Sequence, residues 1–205
     1  MNKNKIFVIS ILIVTILIIF ISIFLISNYK NEKNGNNIIN KSEEDIVGYI
    51  LNMQSYEAKM DVTVETNRNT NKYVITQKKS NNISEQEVIE PNNIAGVITQ
   101  YDGTNLKIKN TKLDLETIYE NYSYIVENQL WLDSFIKEFN ESNKSEINVE
   151  NNEIVLEIKN ERISKYQVHK KLYIDKKTGK PTKMIIEDIN QNKLVYILYT
   201  EIKIS

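Results

Sequence analysis

The sequence predicts an α+β fold in which a curved antiparallel sheet wraps around helices and follows one N-terminal transmembrane helix. Three observations support this prediction. About ten segments alternate apolar with polar residues, as strands with one buried face do. Two segments repeat their apolar residues at helical spacing, and residues 6–26 form an apolar run. Because only short turns separate the successive strands, they are expected to pair as an antiparallel meander.

The N-terminal apolar run is long enough to cross a bilayer. Residues 6–26 contain no charge, Gly or Pro, and a helix rising about 1.5 Å per residue over this run spans a hydrocarbon core of roughly 30 Å. Lys3 and Lys5 precede the run, but no small-residue cleavage pattern follows it. We therefore predict an uncleaved signal anchor with residues 1–5 in the cytoplasm. A cleaved signal peptide is the alternative.

The rest of the chain divides into a linker and one domain. Residues 27–41 are polar and rich in Asn, which is typical of a flexible linker. Residues 42–205 form the predicted extracytoplasmic domain. The chain has 26 basic and 27 acidic residues, and four of the basic ones but one acidic one precede Lys41. Residues 41–205 therefore have a formal charge of −4, which disfavours nucleic-acid binding.

The first part of the domain predicts a helix followed by hairpins. Ser42 is a suitable N-cap, and the helix is expected to end near Gln54. Residues 56–65 then alternate cleanly and predict a strand, with its partner at 72–79. A second hairpin is predicted from residues 94–101 through the Asp102-Gly103 turn, because Asp-Gly between alternating segments favours a hairpin.

A second helix with an aromatic face follows, starting near Asn128 and ending within the polar run 140–145. Its apolar stripe is either part of the core, which is the default for such a stripe, or the wall of an apolar cavity for an acyl chain or a partner's side chain. The stripe comprises Trp131, Leu132, Phe135, Ile136 and Phe139. Alternation returns in the segments 154–158, 166–174, 184–186 and 195–204, which predict the last strands.

The sequence offers few groups for catalysis or for holding a metal or cofactor. It has no Cys and a single histidine, His169, which strand parity places opposite the apolar positions and towards solvent. The acidic pairs Glu187-Asp188 and Glu85 with Glu87 are interpreted as solvated strand faces. Residues 178–181 contain Gly-Lys but lack the rest of a phosphate-binding loop. We therefore predict a protein that is not an enzyme and binds no metal or cofactor.

Three tyrosines form a candidate partner surface. Tyr119, Tyr122 and Tyr124 lie close together in the sequence, where a strand-like alternation would expose some of them. Exposed aromatic side chains are typical of protein interfaces. Packing against the neighbouring helix is the alternative.

Several longer strings resemble a known family. They are YEAKMDVTVETNRNTNKYVITQK, EVIEPNNIAGVITQYDGTNLKIKNTKLDL, ENYSYIVENQLWLDSFIKEF and LYIDKKTGKPTKMIIEDINQNKLVYILY. Together they resemble the GerS germination lipoproteins and GerS-related proteins of spore-forming clostridia, over residues 42–205. The strand-turn-strand pattern in the last string is also similar to the carrier proteins LolA and LolB. The resemblance implies a LolA/LolB-like half-open β-barrel closed by helices.

The resemblance also implies a function. GerS proteins are non-enzymatic partners that bind and activate a spore-cortex N-acetylmuramoyl-L-alanine amidase, which permits the muramic-δ-lactam modification needed for germination. This chain would then be a membrane-anchored accessory protein of the cell or forespore envelope, with an amidase as its partner and a homodimer as a further option. It lacks the lipid-attachment cysteine of that family. The alternative is a lipid- or lipoprotein-binding carrier that uses the concave face of the half-barrel.

Overall fold

The computed structural model describes residues 42–66, 68–122, 130–159 and 169–205 of the chain. The predicted transmembrane helix at 6–26 and linker at 27–41 lie outside these residues. Among the helices that the structure describes, none has the length and apolarity needed to cross a membrane.

The described residues form two helices and one eleven-stranded sheet. The helices are α1 (Glu43–Leu51) and α2 (Leu132–Glu141). The strands are β1 (Tyr56–Glu65), β2 (Thr70–Ser80), β3 (Ile83–Glu90), β4 (Val97–Tyr101), β5 (Leu106–Asn110), β6 (Leu115–Tyr119), β7 (Ser145–Glu150), β8 (Glu153–Lys159), β9 (His169–Asp175), β10 (Lys180–Glu187) and β11 (Lys193–Ile204).

The sheet is open and antiparallel, with the order β6-β5-β4-β3-β2-β1-β11-β10-β9-β8-β7. Strands β1 to β6 proceed outwards in one direction, and the chain then returns to the other edge and works back to pair β11 with β1. The predicted antiparallel meander is confirmed, with helix α2 inserted between its two halves. Strands β6 and β7 are the two edges among the described strands.

One face of the sheet, here called the inner face, meets both helices and forms the core. Strand β1 shows why: its alternate residues Tyr56, Ala58, Met60 and Val62 are buried, while Glu57 on the other face is exposed. The inner face of the later strands carries further fully buried side chains. These are Ile154, Leu156, Ile158, Leu172, Ile174, Met184, Ile186 and Ile197.

Local chemistry sets the start of α1. The Ser42 hydroxyl accepts a hydrogen bond from the Asp45 amide (3.1 Å), and the Asp45 carboxylate accepts one from the Ser42 amide (3.2 Å). This reciprocal capping box satisfies two amides that the helix leaves unpaired. The helix ends at Leu51, earlier than the predicted Gln54, because the side chain of Asn52 turns back and donates to the Gly48 carbonyl (2.8 Å).

Strands β3, β6 and β7 are not predicted from the sequence, each for a physical reason. Strand β3 places polar Ser84 and Gln86 on the inner face, so its alternation is hidden. Strand β7 follows directly on the polar run that ends the helix and has only two apolar residues, Ile147 and Val149, both exposed. Strand β6 is exposed along its whole length. Strand β4 begins at Val97 and not at Ile94, because residues 92–96 form a turn that ends in Gly96 with a φ of +84°.

Candidate protein-binding surface and buried polar contacts

The aromatic stripe of α2 is packed in the core. All five of its side chains are at most 8% exposed, and Trp131 is the N-cap residue just before the first helical turn. The rings of Phe135 and Phe139 stack with their centroids 6.1 Å apart. The burial of these five side chains therefore supports the interpretation of the stripe as part of the core.

Two polar anchors fix α2 on the sheet, and the first is Asp133. This side chain is buried, and its carboxylate accepts a hydrogen bond from the Ser84 hydroxyl of β3 (2.6 Å). The Lys79 ammonium of β2 lies 3.8 Å from the same oxygen, and the Tyr56 hydroxyl lies 3.5 Å from the other. A buried carboxylate needs such partners to offset its lost hydration.

A buried glutamine extends this network across three strands. The Gln77 side chain accepts a hydrogen bond from the Tyr56 hydroxyl (3.1 Å) and donates to the Gln86 side chain and the Leu130 carbonyl (both 2.8 Å). Burial, together with the charge of Asp133, raises the pKa of Tyr56 well above its usual value, so its phenol stays protonated and remains a donor. The polar residues of β2 and β3 therefore position the segment that leads into α2.

The second anchor is an ion pair between Glu138 of α2 and Lys170 of β9. The two side chains are 8% and 12% exposed. Lys170 shares the inner face with Leu172, so its stem passes through apolar surroundings and its ammonium meets the helix. Because an unpaired buried charge is costly, each of these residues depends on the other.

The lone histidine lies in a charged cluster on the outer face. His169 is opposite to Leu172 by strand parity, as predicted, but it is half-buried and does not project freely into solvent. Its Nδ1 atom lies 3.9 Å from the Glu157 carboxylate, and Lys171 lies 3.1 Å from Glu187. Burial opposes the charge of Lys171, but the hydrogen bond and charge of Glu187 outweigh it and raise the pKa of Lys171.

Glu187 corrects one prediction from the sequence. The sequence predicts that it belongs to a solvated strand face, yet it is only 9% exposed, and the Lys171 side chain of β9 lies against it. Periodicity gives the face of a residue but not how densely that face is covered.

Within the described residues, no three His, Asp or Glu side chains form a group that could hold a metal ion.

The predicted tyrosine surface lies at the β6 edge of the sheet. Tyr119 is exposed, and its ring lies 5.8 Å from that of half-buried Tyr122, whereas Tyr124 lies outside the described residues. Every residue from Thr111 to Asn121 is exposed, although this run contains several large apolar side chains. They are Leu113, Leu115, Ile118 and Tyr119. The local sequence predicts the exposure of the tyrosines but not that of their aliphatic neighbours, because the position of β6 at an edge follows only from the strand order.

The described residues thus define a class of α+β protein with an open antiparallel sheet and two helices on one face. The chain is similar to GerS in the structure of the CwlD amidase from Clostridioides difficile in complex with the GerS lipoprotein. The identity is 25%, the match covers 78% of this chain and 95% of that one, and the TM-score is 0.52. The resemblance predicted from the sequence is thereby confirmed.

A further comparison agrees on the fold. An uncharacterised conserved protein from Thermus thermophilus matches 80% of this chain and 88% of its own, with 11% identity and a TM-score of 0.53. A weaker match is the LolA superfamily protein NE2245 from Nitrosomonas europaea, which covers 80% and 94%, with 11% identity and a TM-score of 0.41. No protein-family model and no curated protein match the chain.

Proposed function

We propose that this protein is a non-catalytic, membrane-anchored accessory protein that binds and activates an N-acetylmuramoyl-L-alanine amidase of the spore cortex. The observation that carries the proposal is the likeness to GerS, a lipoprotein whose structure was solved in complex with an amidase. The match spans nearly all of the GerS chain, so the two proteins share the whole domain and not one motif.

The proposed location is the outer side of the membrane of a sporulating cell. GerS is a lipoprotein, whereas this sequence contains no Cys to which a lipid could be attached. The apolar run 6–26 is the proposed substitute for that lipid, because its length suits a bilayer. The anchor would keep the domain close to an envelope-bound partner and so raise the effective concentration of one for the other.

A carrier of lipids or lipoproteins has less support. Such a protein needs an apolar cavity, and the α2 stripe that was its candidate wall is packed against the sheet. Its Phe135 and Leu132 are almost wholly buried, so a ligand would have to displace core side chains.

The proposal is tested with the full-length chain in detergent and the cortex amidase encoded by the same genome. We expect the two purified proteins to elute together in size-exclusion chromatography, and the amidase to release more peptide from isolated cortex when the chain is present. The chain without the amidase is the control. Separate elution with unchanged amidase activity would refute the proposal, and peptide release by the chain alone would show that it is an enzyme.

Native mass spectrometry of the same preparation distinguishes the carrier hypothesis from the accessory function. An accessory protein is expected at the mass of its polypeptide after detergent is removed. A co-purified acyl ligand of constant mass would favour the carrier instead.

A further inference from the structure

The β6 edge combines exposed apolar side chains with open backbone pairing groups. Strand β6 pairs with β5 on one side and with no other described strand. Natural edge strands are usually protected by charges, Pro or bulges, because an unprotected edge attracts another strand. Strand β6 has one charged residue, Glu116, and Lys107 of β5 already pairs with it at 2.8 Å.

The two faces of β6 would offer a partner different contacts. Residues directly opposite each other on neighbouring strands share a face of the sheet. Starting from buried Tyr56, the row of opposed residues places Tyr119 on the inner face; it consists of Tyr56, Lys79, Ser84, Tyr101, Leu106 and Tyr119. Leu115 shares that face, and Ile118 lies on the outer face. A strand added here would therefore find apolar neighbours on both sides.

The charges at this edge are acidic. Asp114 precedes β6, Glu116 lies within it and Glu120 follows it, and all three are exposed. Of the basic residues of this region, Lys107 and Lys109 lie one strand further in, on β5, and Lys112 lies in the turn before β6, where its ammonium donates to the Asn92 carbonyl (2.7 Å). An incoming strand would meet the acidic row first.

This charge pattern disfavours a second copy of the chain in the registers centred on Glu116, Thr117 and Ile118. Two β6 strands paired antiparallel about Thr117 would bring Asp114 opposite Glu120 at both ends. A register centred on Ile118 would oppose Glu116 with Glu120, and one centred on Glu116 would oppose it with itself. Like charges directly opposite each other are destabilising in a sheet. The edge suits a different chain with basic residues.

We propose that β6 is the docking edge for an extended segment of the partner amidase, in which apolar residues alternate with Lys or Arg. The apolar residues share the inner face with Leu115 and Tyr119, and the basic ones lie on the outer face, where they meet Glu116 and pass their alkyl stems over Ile118. Backbone pairing supplies affinity, and the side chains supply specificity, as in other cases of strand addition. The identity of the partner rests on the function proposed above, whereas the chemistry of the edge does not.

Two single substitutions at opposite edges test the proposal. Ile118→Lys on β6 removes an apolar contact and repels basic residues. The matched control is Ile147→Lys on β7, since the two isoleucines are 55% and 52% exposed in edge strands. With full-length chain and amidase in titration calorimetry, we expect Ile118→Lys to weaken binding at least tenfold and Ile147→Lys to leave it unchanged. Unchanged circular dichroism establishes that both variants fold.

The outcomes separate this inference from the proposed function. If the amidase binds the unaltered chain and Ile118→Lys equally well, the β6 assignment is overturned and the accessory function stands. If the amidase does not bind the unaltered chain, the proposed accessory function is refuted. The docking chemistry of the β6 edge is then tested with peptides.

The peptide probe is a ten-residue alternation of Lys and Val, with a Glu and Val peptide as its control. Binding of the Lys peptide to the unaltered chain, lost in Ile118→Lys, supports the docking chemistry. Equal binding of both peptides, or of neither, overturns it.

Discussion

Lys170 of β9 and Glu138 of α2 form an ion pair in which both side chains are almost wholly buried. Lys170 occupies an inner-face position that a strand normally gives to an apolar residue. The pair therefore joins the late strands to the helix that the chain inserted between the two halves of the sheet. With the Asp133 contacts at the other end of α2, it fixes the helix against both halves.

The first prediction concerns this pair. Lys170→Met should lower the free energy of unfolding by about 3–5 kcal/mol, because it removes the cation that faces the buried Glu138 carboxylate. The double variant Lys170→Met with Glu138→Leu should lose less than the two single variants together. Urea unfolding of the full-length chain, followed by the fluorescence of its single tryptophan, measures all three. Additive losses would show that the two residues do not act as a pair.

The second prediction tests whether the aromatic stripe is core. Phe135→Ala should cost about 3–5 kcal/mol of unfolding free energy, because it removes a packed ring and leaves a cavity. Leu115→Ala on the exposed edge is the control and should change stability by less than about 0.5 kcal/mol. A loss below about 1 kcal/mol for Phe135→Ala would indicate that the ring borders an open cavity and would revive the carrier hypothesis.

The third prediction concerns glycines. Gly96 has a φ of +84°, and a Cβ atom there would lie 2.4 Å from the Thr111 hydroxyl. Gly96→Ala should therefore destabilise the fold by more than the roughly 1–2 kcal/mol of left-handed strain alone. Gly48 lies inside α1, and a Cβ atom added there would have no other heavy atom within 4 Å. Gly48→Ala should therefore stabilise by about 0.5–1 kcal/mol. Thermal unfolding of both variants checks the opposite signs.

The fourth prediction is a pH dependence from a turn carboxylate. Hydrogen bonds from Asn105 and Thr104 lower the pKa of Asp102 below its ordinary 3.8. The folded state thus binds this proton more weakly than the unfolded chain does. The stabilisation is present above pH 3.8 and is lost as the pH falls through the lowered pKa.

The measurement compares the unaltered chain with Asp102→Ala. Their difference in unfolding free energy should be constant near neutral pH and should shrink below about pH 3.8. A carboxyl titration by NMR with its midpoint at or above 3.8 would contradict the prediction. Hydrogen bonds from the side chain and backbone amide of Asn192 lower the pKa of Asp188. The same pH measurement can therefore be repeated at this second turn.

The sequence by itself determined the elements whose physics is local. The capping box at Ser42, the alternation of β1 and the Asp102-Gly103 hairpin all depend on residues a few positions apart. The likeness to GerS was also predicted from the sequence, because several long strings of this sequence resemble GerS proteins.

Only the tertiary structure decided the contacts that join distant parts of the chain. Ser84 and Gln77 look like surface residues until Asp133 and Leu130 are brought against them. Lys170 looks solvated until Glu138 meets it, and β6 is recognised as an edge only when the strand order is known. The physical reason is that periodicity assigns a residue to a face, whereas the cover of that face comes from elements far away in the sequence.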